Sequence, residues 1–397
     1  MRLDLLFERR IAVLLTVVIG GMGYLMLAVS AGTAEGLVFA NGGLMGGDHV
    51  AFWTAARAAL SGGWSAIYDP GAFEAAMARS GAAMDRFGLT WQYPPHAAVL
   101  LAPFGAMPLT ASWLVWTSAS FAAFALAYRR LAGADRRVDW RTVGLVLLSP
   151  ALFQVAVTGQ TGAWVGAALM GALLLPDRRP VLAGVCAGLL TVKPQLGLLL
   201  PFAYLAGGHW RAVLSAGATS IALVLASLIW FGADAWVVFA DALFGVGQGV
   251  AAATYPLGKM VTVFAAMRTG GIAGTAAFAV QAAAFVLSAA LTVRVWRSAA
   301  SPMARASVTA CLVFLSTPYA YYYDLAALAV PFGYVLSRLD PDAQARRAVL
   351  YGLWAAPLMI VSAGAYGAHL GLAAVLTLTI LTLRAAAPQT RLSLSPA

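Results

Sequence analysis

Long apolar segments alternate with short polar connections along nearly the whole chain. The first, residues 11–29, contains no charged residue, follows Arg9 and Arg10, and has about the 20 residues that a helix needs to cross a bilayer. Further segments of this kind lie at 111–128, 142–157, 161–175, 181–192, 195–206, 212–231, 271–293, 304–318, 322–337, 347–364 and 367–384. The pattern predicts an all-α polytopic membrane protein with about 10–13 transmembrane helices, twelve being the best estimate.

Two places in this pattern allow more than one interpretation. Residues 28–31 resemble a signal-peptidase site, but the apolar run before them is longer than a typical signal-peptide core, so we interpret it as a retained first span. Segments 181–192 and 195–206 are both short and meet at Lys193-Pro194-Gln195. They form either two short helices, one kinked helix, or a re-entrant pair.

The pattern also sets the expected domain organisation. Residues 1–385 form one transmembrane domain, followed by a short cytoplasmic tail at 386–397. Residues 30–110 form a first outer segment with amphipathic stretches near 50–60 and 70–80, and residues 231–270 form a second. Amphipathic helices this close to spans usually lie in the membrane interface.

Composition agrees with a membrane protein. The chain is 61% hydrophobic and 10% charged, with a mean hydropathy of +0.82, which is more apolar surface than a soluble core of this length can bury. A net charge of +10 would suggest nucleic acid for a soluble protein. Here it is better explained by membrane orientation, and we expect no nucleic-acid partner.

The basic residues predict the orientation. If the N-terminus is cytoplasmic, nineteen of the twenty-five Lys and Arg residues fall on the cytoplasmic side, as the positive-inside rule requires. The C-terminus is then cytoplasmic too, in a multi-pass plasma (inner) membrane protein. Six basic residues are left on the outer side, including both lysines, Lys193 and Lys259. Cations on the side that should be poor in them need a local reason.

Polar residues at the segment ends are collected on this outer side. They comprise Asp48-His49, Trp91-Gln92-Tyr93, His96, residues 158–161, Lys193 with Gln195, Lys259, and the run from Thr317 to Asp324. A site open to the outer face and to the outer leaflet is therefore expected.

Structural roles compete with functional ones at these positions. Asp48 precedes a helical stretch and is a favoured N-cap, whose backbone hydrogen bonds would keep the carboxylate ionised. Trp and Tyr near span ends form ordinary interfacial belts. Lys193 is harder to explain structurally, because an ammonium at this depth needs a counter-charge.

Common soluble-enzyme motifs are absent from the sequence: there is no phosphate-binding Walker loop, no HExxH, no CxxC and no GxSxG. We expect no cofactor and assign no metal ligands, although Asp324 and Asp69 leave a divalent metal open. Synthesis on the outer face would need an activated donor that is already carried by a lipid.

A series of short motifs resembles glycosyltransferase family 87. These are Gly47-Asp48, Phe52-Trp53, Arg57, Tyr68-Asp69-Pro70, Tyr93-Pro94-Pro95, Gly159-Gln160, Lys193-Pro194-Gln195 and Pro318 to Asp324. The family comprises GT-C-type membrane enzymes, including polyprenol-phosphate-mannose-dependent mannosyltransferases. The resemblance implies a catalytic Asp in the first outer loop and inverting transfer of a hexose, mannose above all, from a polyprenyl-phosphate sugar to a glycolipid or glycan acceptor. The run from Tyr319 to Tyr323 lacks a His that some relatives carry there.

The same chemistry assigns roles to individual residues. Asp48 is the expected general base for the acceptor hydroxyl. The expected donor-phosphate cations are Lys193, Lys259, Arg57 and Arg268, since the leaving phosphate gains negative charge. The expected sugar- or acceptor-binding residues are His49, Trp53, Trp91, Tyr93, Gln160, Gln195, Tyr322 and Asp324.

Two other classes of membrane protein share some of these features. A transporter or flippase of a lipid-linked or amphiphilic substrate would also have many spans and broken helices, but no repeated half is evident and the polar groups gather at one face. An O-antigen-ligase-like enzyme also uses lipid-linked sugars, but relies on Arg and His in a large outer loop. The first-loop Asp favours the glycosyltransferase.

Overall fold

The computed structural model describes residues 9–32, 46–79, 90–133, 137–251, 255–339 and 344–387. Within these ranges the chain is α-helical, with short 3-10 turns and no strand beyond an isolated antiparallel bridge between Met260 and Tyr321. The helices are α1 (Arg9–Gly32), α2 (His49–Ser61), α3 (Pro70–Ala78), α4 (Pro95–Gly105), α5 (Leu109–Leu131), α6 (Trp140–Leu147), α7 (Pro150–Thr158), α8 (Gly162–Leu174), α9 (Pro180–Leu189), α10 (Leu200–Ala206), α11 (Trp210–Phe231), α12 (Asp234–Ala251), α13 (Val263–Thr269), α14 (Gly274–Trp296), α15 (Pro302–Ser316), α16 (Ala329–Arg338), α17 (Gln344–Ser362) and α18 (Gly367–Ala386).

The predicted fold class, an all-α polytopic membrane protein, is confirmed. Five stretches of the described residues are long and apolar enough to cross a membrane, and a bent helix pair would make a sixth. The five are Val13–Gly32, Leu109–Leu131, Trp210–Phe231, Gly274–Trp296 and Gly364–Ala386. Each of the twelve predicted segments contains helix, but several of these helices are short, so a count of twelve spans stays a prediction. The tail from 388 onward and residues 33–45 and 80–89 of the first outer segment lie outside the described residues.

Prolines explain where several helices begin. Pro150 is the first residue of α7, and α6 and α7 are bent by 58° where the sequence predicts a continuous segment. Proline has no N–H to donate and fixes φ near the helical value, so it suits the first position of a helix and interrupts a helix that precedes it. Pro70 and Pro95 begin the short helices α3 and α4 of the first outer segment in the same way.

Helices α9 and α10 form a hairpin with Lys193 at its tip. The hydroxyl of Tyr204, near the end of α10, donates to the carbonyl of Ala183, near the start of α9, at 3.1 Å. In one continuous helix these residues would lie about 30 Å apart. At the base of the hairpin, Asp177 pairs with Arg305 and lies 3.5 Å from Nε2 of His209. The kinked-helix alternative is therefore wrong, while two short helices and a re-entrant pair both remain predictions for this hairpin.

Small residues dock this hairpin onto α11. A Cβ at Gly184 would lie 2.4 Å from the carbonyl oxygen of Ala212, and one at Gly188 would lie 2.5 Å from Cβ of Thr219. Such G-x-x-x-G spacing permits close helix approach within a bilayer, where packing replaces the hydrophobic effect between helices. This contact holds the body of the hairpin against α11.

Two cores surround the region where the polar segment ends meet. The larger is centred on α15, which is buried along most of its length, and extends through α8 and α18. The smaller lies under the first outer segment, where Phe52, Trp91, Tyr93 and Trp116 pack at ring-centroid distances of 5.1–6.1 Å. Aromatic packing of this kind contributes beyond its area burial and gives the short helices α2 and α4 a rigid support.

Candidate active site

Four chain segments that lie far apart in sequence meet at one place. They are the turn at 46–48 before α2, the turn at 159–161 between α7 and α8, the hairpin tip at 193–195, and residues 317–324 after α15. A Cβ at Gly162 would lie 2.4 Å from the carbonyl oxygen of Tyr323, so α8 begins directly against the last of these segments. Polar groups that the sequence placed at helix ends are thereby brought together.

Asp48 is held by a side chain from another helix junction. Its Oδ2 accepts a hydrogen bond from Nε2 of Gln160 at 2.7 Å. Asp48 occupies the N-cap position of α2, but its side chain accepts no helix N–H, so the expected capping bond is wrong. The backbone turn explains this, since Asp48 has helical dihedral angles of φ −71° and ψ −7° instead of the extended ones that direct a capping side chain inward.

Glycines make the contact between the two turns close. Gly46, Gly47 and Gly159 have positive φ, the left-handed region that favours glycine. A Cβ at Gly159 would lie 2.5 Å from Cβ of His49, and one at Gly47 would lie 2.8 Å from Cα of Thr158. The indole of Trp116 donates to the carbonyl of Gly159 at 2.9 Å and fixes the turn from the other side.

We expect Gly159→Ala to destabilise the protein and to impair the site. The left-handed backbone alone costs about 1–2 kcal/mol for a non-glycine residue, and the clash with His49 would push the two turns apart. Thermal unfolding of the detergent-solubilised protein, followed by tryptophan fluorescence, measures the loss. Gly217→Ala on α11 is the matched control, because a Cβ there meets open space. Equal unfolding temperatures for the two variants would contradict the tight turn.

Burial dominates the electrostatics of Asp48. Part of its side chain stays accessible, yet burial by the surrounding protein raises its pKa. The hydrogen bond from Gln160 opposes this rise, as do the positive charges of Lys259 and Lys193. Capping bonds were expected to keep Asp48 ionised. Instead, the Gln160 amide and the two lysines favour the ionised form, while burial favours the neutral acid. A carboxylate with a raised pKa is a better proton acceptor at neutral pH.

Lys193 and Asp324 form a buried ion pair. Nζ of Lys193 lies 2.6 Å from Oδ1 of Asp324, and the two side chains are 3% and 0% exposed. Oδ2 of Asp324 accepts the N–H of Tyr321 at 3.0 Å, and the ammonium also lies 5.0 Å from the ring centroid of Tyr323. The counter-charge that Lys193 requires is therefore Asp324. This neutralised pair fixes residues 321–324 to the hairpin tip.

Lys259 differs from Lys193 in being exposed, and no carboxylate of the described part of the chain pairs with it. It ends a 3-10 turn, Leu257–Lys259, directly before the bridge from Met260 to Tyr321. The N–H of Val261 donates to the carbonyl of Ala320 at 2.9 Å, which fixes this strand-like contact. Lys259 is thus an accessible cation beside the segment that contains Asp324. Its positive charge lowers the pKa of Asp48.

Aromatic hydroxyls line the same region. Tyr319 donates to Oε1 of Gln92 at 2.5 Å, which joins the first outer segment to residues 317–324. Burial raises the pKa of Tyr93 well above its usual value, and the negative charges of Asp324 and Asp48 raise it further. Tyr322 is also buried, and both its burial and the negative charge of Asp48 disfavour ionisation of its hydroxyl. These tyrosines therefore stay neutral donors close to both carboxylates.

Several residues expected at the site make local contacts. Arg57 is exposed and lies over the ring of Trp53, whose indole donates to the carbonyl of Met107 at 2.8 Å. Arg268 donates to the carbonyl of Ile272 at 2.7 Å, which closes the end of α13. Arg57 and Trp53 contact each other on α2, Trp53 also bonds the connection before α5, and Arg268 bonds the connection after α13. These contacts are local, and the binding roles expected for Arg57, Trp53 and Arg268 stay predictions.

Three further side chains have surroundings that differ from the expected ones. His49 is fully buried and bonds through Nε2 to the hydroxyl of Ser112 at 2.9 Å, and burial lowers its pKa to about 4. Trp91 is 3% exposed within the aromatic core. Gln195 is half-buried at the hairpin tip. Packing roles are favoured for His49 and Trp91, while the binding role of Gln195 stays a prediction.

Some residues that build the site were noted in the sequence but were given no role of their own. Gln92, Tyr319 and Gly159 connect its segments, and only their position at helix ends could have indicated them. Asp69 was one of two carboxylates for which the sequence allowed a divalent metal. It accepts the N–H of Ala72 at 2.6 Å as the N-cap of α3. Within the described ranges, no group of three or more His, Cys, Asp and Glu side chains is arranged to hold a metal ion.

The fold and this arrangement define a polytopic membrane protein with a charged, aromatic-lined site at the meeting of its helix ends. Comparison with protein families gives a match to glycosyltransferase family 87 over residues 91–318, which is more than half of the chain. The chain belongs to glycosyltransferase family 87 and is a membrane glycosyltransferase. No curated protein and no solved structure matches it. Family membership also decides against the transporter alternative.

Proposed function

We propose that the protein transfers a hexose, with mannose the first expectation, from a polyprenyl-phosphate sugar to a glycolipid or glycan acceptor. In this proposal the enzyme is of the GT-C type, and the reaction occurs on the outer face of the plasma membrane with the termini in the cytoplasm. The observation that carries the proposal is the difference between the two lysines beside Asp48. Lys193 is neutralised by Asp324, whereas Lys259 is exposed and has no such partner in the described structure.

Charge arithmetic at the site favours a donor with one negative charge. The pair of Lys193 and Asp324 contributes no net charge, which leaves Lys259 as the accessible lysine for the donor phosphate in the described structure. A phosphodiester such as a polyprenyl-phosphate sugar carries one negative charge, while a nucleotide sugar or a lipid diphosphate sugar carries two. A single accessible lysine suits the first, since charge that is not offset at a partly desolvated site costs binding energy.

The chemistry follows from these positions. Oδ1 of Asp48, which is not bonded to Gln160, takes the proton of the acceptor hydroxyl as its oxygen attacks the anomeric carbon. The bond between that carbon and the phosphate oxygen breaks, and its electron pair leaves with the polyprenyl phosphate. Lys259 stabilises the additional negative charge on the phosphate. A single displacement of this kind inverts the anomeric configuration.

The direct test uses the full chain in lipid nanodiscs, with radiolabelled sugar donors and a membrane lipid extract as acceptor. We expect label to move from polyprenyl-phosphate mannose, or from the corresponding glucose donor, into a new lipid- or glycan-linked product. GDP-mannose serves as the soluble donor control and is expected to give no product. Transfer from GDP-mannose alone would contradict the lipid-phosphate donor. Movement of labelled lipid between leaflets without product would favour a flippase.

We expect Lys259→Ala to lower kcat/KM for the polyprenyl-phosphate donor by about 100-fold, because the leaving phosphate loses its preplaced cation. Lys259→Arg should retain more activity than Lys259→Ala. Arg79→Ala is the matched control, since Arg79 is an exposed cation of the first outer segment that ends α3. Initial rates at varied donor concentration separate the effects. If Lys259→Ala and Arg79→Ala gave the same small change, Lys259 would not be the phosphate cation.

A further inference from the structure

We propose that Gln160 is a positioning residue that holds Asp48 by one carboxylate oxygen and leaves the other free for the acceptor hydroxyl. This inference rests on the proposed role of Asp48 as base. It gives Gln160 a different role from the sugar-binding one that the sequence suggested. The hydrogen bond of 2.7 Å joins residues separated by 112 positions, and the contact depends on two glycine turns that fit closely together.

The surroundings of Gln160 define the direction of its amide. The side chain is 7% exposed, and Oε1 accepts the N–H of Thr161 at 3.3 Å. Because Oε1 faces a donor, Nε2 is the atom that faces Asp48, and an amide nitrogen can only donate. Both polar atoms are therefore engaged within the protein, and the orientation is not interchangeable. A side chain held in this way is suited to fix another group.

The neighbouring backbone also holds Gln160 in place. Gly159 has a φ of +62°, which turns the chain sharply at the end of α7, and the Trp116 indole bonds its carbonyl oxygen. The indole of Trp113 donates to the carbonyl of Ala156 one turn earlier, at 3.1 Å. Two indoles on α5 thus anchor the end of α7, and the position of Gln160 follows from that anchor. The end of α7 therefore orients the Asp48 carboxylate through Gln160, without contacting the acceptor hydroxyl itself.

The bond also affects the charge of Asp48. An N–H donated to a carboxylate favours the ionised form, while burial favours the neutral acid. Because a base must be ionised to accept a proton, activity is lost as the pH falls through the pKa of Asp48. Without the amide donor the pKa rises, so the loss of activity begins at a higher pH. Gln160 thereby widens the pH range over which the base is active.

The first experiment measures the protonation of Asp48 without any substrate. Dicyclohexylcarbodiimide reacts with protonated carboxyl groups in apolar surroundings, and mass spectrometry of peptides locates the adduct. In the full chain in nanodiscs, the pH at half-maximal labelling of Asp48 is expected to rise by about one unit in Gln160→Leu. Gln160→Glu, which has nearly the same size, should raise it as well, since a second carboxylate replaces the donor. Gln154→Leu on α7 is the matched control and should leave it unchanged.

The second experiment measures the acid limb of kcat/KM for hexose transfer in the same variants. We expect this limb to shift upward in parallel with the labelling curve in both Gln160 variants. An unchanged limb and labelling curve with a raised KM would overturn the proposal in favour of direct sugar binding. Lower thermal stability with both curves unchanged would overturn it in favour of a purely structural role. If labelling shifts but Asp48→Asn retains full transfer, the base assignment fails while the interaction stands.

Discussion

Asp48→Asn is expected to lower hexose transfer by about 100- to 10,000-fold, because the variant has no group at this position that can take the acceptor proton. The substitution changes little else. Asn has the same size as Asp, and its carbonyl oxygen can still accept the hydrogen bond from Gln160 that holds the turn. The loss should appear in kcat, since the proton is transferred in the chemical step. Initial rates in nanodiscs with saturating donor measure it.

Asp69→Asn provides the matched control for this variant. Asp69 lies in the same outer segment and caps α3 through the N–H of Ala72, a bond that Asn can also accept. We expect Asp69→Asn to transfer hexose at nearly the original rate. Both variants should unfold at the temperature of the original protein. Near-normal turnover of a folded Asp48→Asn protein would contradict the base assignment.

Lys193→Ala is expected to destabilise the protein by about 3–5 kcal/mol, because it leaves the fully buried Asp324 carboxylate without its counter-charge. The effect should be seen as a lower unfolding temperature or a poor yield of folded protein. The sequence alone predicted a different outcome, namely weaker use of the lipid-phosphate donor. The buried pair changes that expectation, since the ammonium already has a partner at 2.6 Å.

A double variant separates the two roles of Lys193. In Lys193→Met with Asp324→Asn, both charges are removed, and Asn can still accept the N–H of Tyr321. Replacing both members of a buried pair is much less costly than removing one. If the pair is structural, the double variant should recover both stability and transfer. A stable double variant whose KM for donor is strongly raised would instead return Lys193 to the phosphate.

Helix positions could be predicted from the sequence because apolar length and proline placement are local properties. The segments at 111–128 and 212–231 correspond closely to α5 and α11. The break between α6 and α7 was missed, since residues 142–157 contain no charged residue and only Pro150 indicated it. The positions of polar groups at segment ends were also predicted, and these groups do meet.

Partners within the site could not be predicted, because they join residues that lie far apart in the sequence. Lys193 and Asp324 were assigned separate roles, although they bind each other across 131 positions. The side chain of Asp48 was expected to cap α2, and instead faces a glutamine from the end of α7. Among the basic residues, charge alone could not separate exposed Lys259 from Arg268, whose guanidinium bonds its own loop. Such choices depend on three-dimensional packing, which a single sequence does not encode locally.

The hairpin of α9 and α10 has a consequence for the order in which the molecule is assembled. At its base, Asp177 pairs with Arg305 and lies close to His209, and at its tip Lys193 pairs with Asp324. Arg305 and Asp324 both belong to the last third of the chain. During synthesis Lys193 remains without its partner until residue 324 has been made. The hairpin can dock on α11 early through Gly184 and Gly188, but its charged tip is completed late. A nascent chain that stops before this point can contain α1 to α15 but not the ion pair that holds the hairpin tip.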